Sequence, residues 1–85
     1  MERKMRNVHP GEILKMELIE GRKLSMRKIA KLLDTSLLSI SNILNGREEI
    51  TPTIALGLEN VLGGKADFFL RLQATYDLEE VKKRN

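Results

Sequence analysis

Apolar positions along this chain recur three and four residues apart. Nowhere do apolar and polar residues alternate cleanly between turn signals, so the pattern predicts helices and no strands. A first helix opens at Pro10, which suits position N1 because its missing N–H has no helical partner there, and ends near Gly21. It turns Ile13, Leu14 and Leu18 inward, with Met16 beside them. Ser25 is placed to cap a second helix carrying Met26, Ile29, Ala30 and Leu33, a full amphipathic stripe. After Asp34-Thr35-Ser36 a third helix carries Ile40, Ile43 and Leu44 and closes at Asn45-Gly46. Thr51-Pro52 opens a fourth, with Ile54, Ala55, Leu58, Val61 and Leu62 inward and Gly63-Gly64 at its end. A fifth starts around Ala66, shows Phe68, Phe69, Leu72 and Tyr76, and fades after Glu79. The reading is all-α, with a five-helix domain over residues 9–80, a flexible charged tail at 1–8 and a second tail at 81–85.

Composition narrows the class. At 85 residues the chain holds one small core, and with 41% hydrophobic residues it can fold alone as a soluble domain. No apolar run approaches the roughly 18 residues of a spanning helix, and no signal-peptide core follows the basic N-terminus, so a cytoplasmic location is expected. With no cysteine and one histidine, His9, neither a thiol nucleophile nor a Cys- or His-pair metal site can be assembled. His9 with Glu12 falls short of a metal shell and suits a helix start. An enzyme, a metal and a cofactor are therefore not expected. Charge is uneven: residues 21–47 hold Arg22, Lys23, Arg27, Lys28, Lys31 and Arg47 against Asp34, whereas residues 48–85 are net acidic. A local basic block suits a polyanion, although a solvated helix face gives the same count.

Residues 26–45 decide more. Ala30 falls where two helices cross, and a larger side chain there would force them apart. Asp34 falls at the left-handed turn, where Asp and Asn are the usual substitutes for Gly. Ile40 and Ile43 pack the second helix onto the first. Small residue, turn residue and apolar pair at these offsets describe a DNA-binding helix-turn-helix. A helical hairpin that binds no DNA can share the pattern.

The motifs resemble those of the HigA-type antitoxins, a branch of the phage-repressor-like (XRE) helix-turn-helix proteins. His9-Pro10-Gly11-Glu12-Ile13-Leu14 matches their opening. Leu24-Ser25, Ile29-Ala30, Ile40-Ser41 and Ile43-Leu44-Asn45-Gly46 match the helix-turn-helix, and Ile50-Thr51-Pro52 the next cap. Phe68, Leu70, Leu72-Gln73-Ala74 and Tyr76-Asp77-Leu78 match the last helix. The resemblance runs from about residue 8 to 78. It implies a phage-repressor-like fold and a bacterial type II antitoxin. Such a protein neutralises a small RelE-like, mRNA-cleaving toxin and, as a dimer, represses its own operon. Four departures stand out: Met26 replaces a polar residue that touches phosphate, Leu37 and Leu38 replace polar or basic residues at the start of the recognition helix, Asp34 replaces the turn glycine, and Lys65-Ala66 replaces a Ser/Thr-Pro cap.

Candidate DNA contacts are Ser36, Leu37, Leu38, Ser39, Ser41 and Asn42 on the recognition helix, with Arg27, Lys28 and Arg47 beside it for phosphate. Ser and Asn can bond base edges, and an apolar side chain can meet a thymine methyl. Ser36 can equally be only a cap. Phe68, Phe69, Leu72 and Tyr76 offer a dimer interface or core packing, and stack poorly as an RNA platform because they sit away from the basic block. The acidic groups Glu48, Glu49, Glu59, Asp77, Glu79 and Glu80 suit a basic protein partner. The partners expected are thus a double-stranded operator palindrome, a small basic toxin and a second copy of the chain, with no membrane. An XRE-type regulator without a toxin partner, and an interaction module that no longer reads DNA, remain the other readings.

Overall fold

The computed structural model describes residues 7–84, and among these every regular element is helical. Helix α1, Pro10–Lys15, runs directly into a π-helical segment, Met16–Gly21. Helices α2 (Met26–Leu32), α3 (Leu37–Leu44), α4 (Pro52–Leu62) and α5 (Ala66–Arg84) follow. The five α-helices match the all-α, five-helix domain the periodicity predicts and the phage-repressor-like fold the resemblance implies.

Each start has a chemical cause. Ser25, Ser36 and Thr51 accept from the N–H groups of Lys28, Ser39 and Ile54, at 3.1, 3.0 and 3.3 Å. These side chains satisfy amide donors that have no partner inside the helix. α5 lacks such a residue of its own, and the carboxylate of Glu59 reaches across from α4 to accept from Ala66 N–H at 2.7 Å. That acceptor replaces the missing Ser/Thr-Pro cap and adds a negative charge at a helix N-terminus.

Leu14, Leu18, Ile29, Leu33, Ile40, Ile43, Leu44, Ile50, Ile54, Leu58 and Phe69 form the core with Ala30, Ala55 and Ala66. α4 comes close to the end of α2 at Gly57, where a Cβ would meet the Leu33 side chain at 2.7 Å. Three expectations need correction. Ile13 and Met16 are 41% and 61% exposed, because the inward line of this helix is Leu14 to Leu18 and Met16 lies about 200° around from Leu14. Phe69 is 6% exposed, so it fills the core and leaves no dimer surface. The tails also differ. Asn7 is anchored by its amide to the Tyr76 carbonyl and to Glu80 Oε2, both at 3.0 Å, and α5 stays helical to Arg84. The remainder of the expected tails, residues 1–6 and 85, lies outside the described residues.

Candidate nucleic-acid interface

Ala30 is 7% exposed between α2 and α3, as its small side chain predicts. The turn after it is set by backbone: Asp34 adopts φ 53° and Thr35 N–H donates to the Ala30 carbonyl at 2.9 Å. Asp34 therefore does what the family's glycine does, at the modest cost that Asp pays less of than most residues in the left-handed region.

Rotation of α3 about its axis is fixed by Ile40, Ile43 and Leu44, each 2% exposed. That rotation sorts the candidate residues. Leu38 (70% exposed) and Leu37 (45%) face outward, and Ser41 and Asn42 are half-buried beside them. Leu37, Leu38 and Ser41 join Ser25, Met26 and Arg27 around an open groove of about 630 Å³ between the start of α2 and the face of α3. Arg27 and Lys28 are exposed at the start of α2, and Arg47 is exposed past the other end of α3. Ser36 is the N-cap of α3. Ser39 does not join the groove. It lies on the opposite flank of α3, with Asp34, Thr35, Glu48 and Thr51 around a separate recess.

Several polar groups on this face already have partners. Asn42 Nδ2 donates to Glu48 Oε1 at 3.0 Å, and Asn45 Nδ2 donates to the Ser41 carbonyl at 2.9 Å. Asn45 was absent from the candidates, yet it is exposed and lies one and two turns on from Ser41 and Leu38. Its signal is the i, i+3/i+4, i+7 line from Leu38, obscured because Asn45-Gly46 also reads as a helix stop. Met26 and Ser25, which the sequence reads as a core residue and a cap, also line the groove.

A brace holds α3 from behind. The Gly11 N–H donates to His9 Nδ1 at 2.8 Å, and the His9 ring meets Tyr76 edge to face at 4.8 Å. A Cβ on Gly11 would overlap the Ile43 carbonyl, so only glycine lets α1 come this close to α3. Gly46, at φ 75°, brings the exit of α3 over the His9 ring. Farther along, Gln73 Oε1 accepts from Ile50 N–H at 2.9 Å while its Nε2 donates to Asp77 Oδ1 at 3.0 Å. Burial pushes the His9 pKa below its ordinary value, against the opposing charges of Asp77 and Glu12. A neutral ring is also what the cap requires, since Nδ1 must keep a lone pair.

The dimer candidates separate. Phe68 is 54% exposed, Leu72 is half-buried, and Tyr76 is half-buried with its ring against His9. Leu78 and Val81 add exposed apolar surface farther along α5. Of the acidic groups, Glu59 caps α5, Asp77 holds Gln73, Glu48 holds Asn42, and Glu79 and Glu80 pair with Lys82 and Lys83. Asn7 and Lys83 hold the Glu80 carboxyl below its usual pKa. Among the described residues no cluster of three metal-ligating side chains forms, and no helix is long and apolar enough to cross a membrane.

Two capped helices crossing at a small residue, with an outward second helix flanked by cations, define a helix-turn-helix domain. The helix-turn-helix family matches residues 14–69. The chain belongs to the XRE-type helix-turn-helix family, a family of DNA-binding antitoxins and regulators rather than enzymes. It is similar to the virulence-associated protein I of Dichelobacter nodosus, 39% identical over 72 residues that make up 85% of this chain and 67% of that one. Its fold is similar to an addiction module antidote protein of the HigA family from Coxiella burnetii, with a TM-score of 0.87 and 40% identity over 94% of this chain and 87% of the other. It is also similar to the Pseudomonas aeruginosa antitoxin HigA with its higBA promoter, with a TM-score of 0.88 and 29% identity over 94% of this chain and 87% of that one.

Proposed function

We propose that this chain is an antitoxin that represses its own operon by placing α3 in the major groove of an operator palindrome. On this reading it also neutralises a small basic toxin of the RelE-like, mRNA-cleaving kind. The observation that carries the DNA half is the outward face of α3 beside Arg27 and Lys28, on a helix rigidly held from behind. Arg27, Lys28 and Arg47 bond phosphate and set register. The residues of α3 that open to solvent set sequence. Ser36 caps α3 and Ser39 lines a separate recess, so on this reading base readout falls to Leu37, Leu38, Ser41 and Asn42.

Two recognition helices must lie about 34 Å apart to read both halves of a palindrome, which calls for a two-fold dimer. The dimer uses α5, through Phe68 and Leu72 with the exposed side chains beyond them, and Phe69 and Tyr76 support that helix from within. The toxin meets surface away from the basic block. An XRE-type regulator without a toxin differs in one respect: no neighbouring reading frame encodes a small basic protein that is toxic alone.

The test is binding of the purified chain to the DNA upstream of its own reading frame across a salt series. The affinity is expected to fall by about 0.9 log unit per neutralised phosphate for each tenfold rise in salt. No binding at low salt overturns the repressor reading. Co-expression with the adjacent reading frame tests the toxin half: rescue of growth and co-purification support it, and neither outcome leaves the regulator.

A further inference from the structure

The recognition face is apolar where it opens. Leu38 and Leu37 are exposed, and with half-buried Met26 they form the apolar wall of the groove between α2 and α3. Ser36 Oγ accepts from Ser39 N–H, Asn42 Nδ2 donates to Glu48, and Asn45 Nδ2 donates to the Ser41 carbonyl. Ser39 lines a separate recess. The most exposed side chain of this face is that of Leu38, so apolar surface is what the groove offers first.

Charge decides what fills the groove. Arg27 lines it, Lys28 stands exposed next to it on α2, and Arg22, Lys23 and Lys31 are exposed in the same stretch of chain, so the occupant is a polyanion. A polyanion that also presents apolar groups to a helix is duplex DNA, whose major groove carries one such group, the C5 methyl of thymine. We infer that the groove of Met26, Leu37 and Leu38 is a thymine-methyl pocket, through which this chain selects DNA by pyrimidine C5 methyl groups. The inference rests on the DNA-binding reading above and adds the chemical feature that is read. One consequence reaches further: 5-methylcytosine presents the same methyl, so it replaces thymine in the pocket better than cytosine does.

The experiment starts from duplexes selected by the full chain from a randomised pool at low salt. The best duplex is then made with thymine or with deoxyuridine, which differs only by the methyl. Selected sequences should carry thymine at a fixed position in each half-site. Deoxyuridine should weaken binding by about fourfold per methyl lost, the worth of one buried methylene-sized group, and about 16-fold over two half-sites. Placing 5-methylcytosine, but not cytosine, at that position should recover part of the loss. Leu38→Ala, at the most exposed of the three side chains, should bind both duplexes alike, with phosphate affinity and salt slope retained. Equal wild-type affinity for the thymine and deoxyuridine duplexes, or selection without a fixed thymine, overturns the pocket while leaving DNA binding intact. Equal affinity together with loss of a co-purifying protein in Leu38→Ala overturns it in favour of a protein partner. Failure to select any duplex overturns the DNA-binding reading and the pocket with it.

Discussion

The two sides of α3 are built to different tolerances. Behind it, around His9, Gly11, Gly46, Ile50 and Gln73, polar groups are paired and one position has no room for a single carbon. In front, Leu37 and Leu38 stand half to mostly exposed, and their identity leaves the core untouched. The back of the helix sets where it is, and the front sets what it recognises. A substitution behind α3 should therefore cost stability first and DNA binding only as a consequence. One in front should cost specificity with the fold unchanged.

Gly11→Ala should break this division most severely. The added methyl overlaps the Ile43 carbonyl, a backbone atom that cannot swing aside as a side-chain tip can. Overpacking commonly costs about 1–3 kcal/mol where side chains can adjust. Here α1 must lift off α3, so the loss should reach at least about 3 kcal/mol, a large share of the stability of so small a domain. Urea denaturation checks it: a midpoint near wild type would show that α1 and α3 can slide apart cheaply.

Gln73→Ala comes next. It strips the acceptor from the buried Ile50 N–H and the donor from Asp77, and an orphaned buried amide costs about 1–3 kcal/mol. Gln73→Glu keeps an acceptor for Ile50 but replaces the donor to Asp77 with a second carboxylate, so it should recover the Ile50 part of the loss and keep the Asp77 part. Thermal melts of the two variants side by side separate the two effects.

Ser36→Ala should cost about 1 kcal/mol through the lost cap of α3. At saturating folded protein its DNA affinity should match wild type, since the hydroxyl serves the helix. A loss of affinity greater than the loss of stability would return Ser36 to the DNA contacts.

His9 gives the back of α3 a pH signature. Its folded pKa is lowered by burial, so the unfolded chain takes up a proton more readily. The stability that neutral His9 contributes is complete above the ordinary histidine pKa of about 6.5, and it is lost as pH falls from there through the lowered folded value. His9→Asn keeps a capping oxygen without titrating in that range. Chemical denaturation between pH 7.5 and 5.5 should show wild type losing more stability than the variant. Parallel curves would remove His9 as the cause.

How much of this could be read from the chain depended on range. Ala30, Asp34 and the caps at Ser25, Ser36 and Thr51 are local signals, because a helix end or tight turn is decided within three or four residues, and they predicted the helix-turn-helix correctly. The Glu59 cap of α5 was invisible because its donor and acceptor belong to different helices. In the first helix Ile13 neighbours the inward line from Leu14 to Leu18 and Met16 faces away from it, and the apolar run alone does not say which of the four is buried. The interface suffered most from helix rotation. A stripe defines a buried face to within a residue or so, and α3 turned just enough to send Ser39 to one flank and to bring Asn45 into line with Leu38, while Met26 reaches the groove from α2. Phe68 and Phe69 show the same limit: neighbours in sequence are about 100° apart on a helix, and the packing of α5 against α4 and α1 decides which one is buried.

The smallest effect on stability is expected where the largest effect on recognition lies. Leu38 is 70% exposed and near the start of α3, so truncating it removes little buried surface and disturbs no cap. Alanine is also the better helix former, which offsets part of what is lost. Leu38→Ala should therefore stay within about 0.5 kcal/mol of wild type in urea denaturation, the range of an ordinary surface change. Gly11→Ala at the back of the same helix should lose several times more. Sequence preference should rank the two in the reverse order when each is measured on folded protein. If Leu38→Ala unfolds the domain as readily as Gly11→Ala does, the leucine belongs to the core and the front of α3 is no freer than its back.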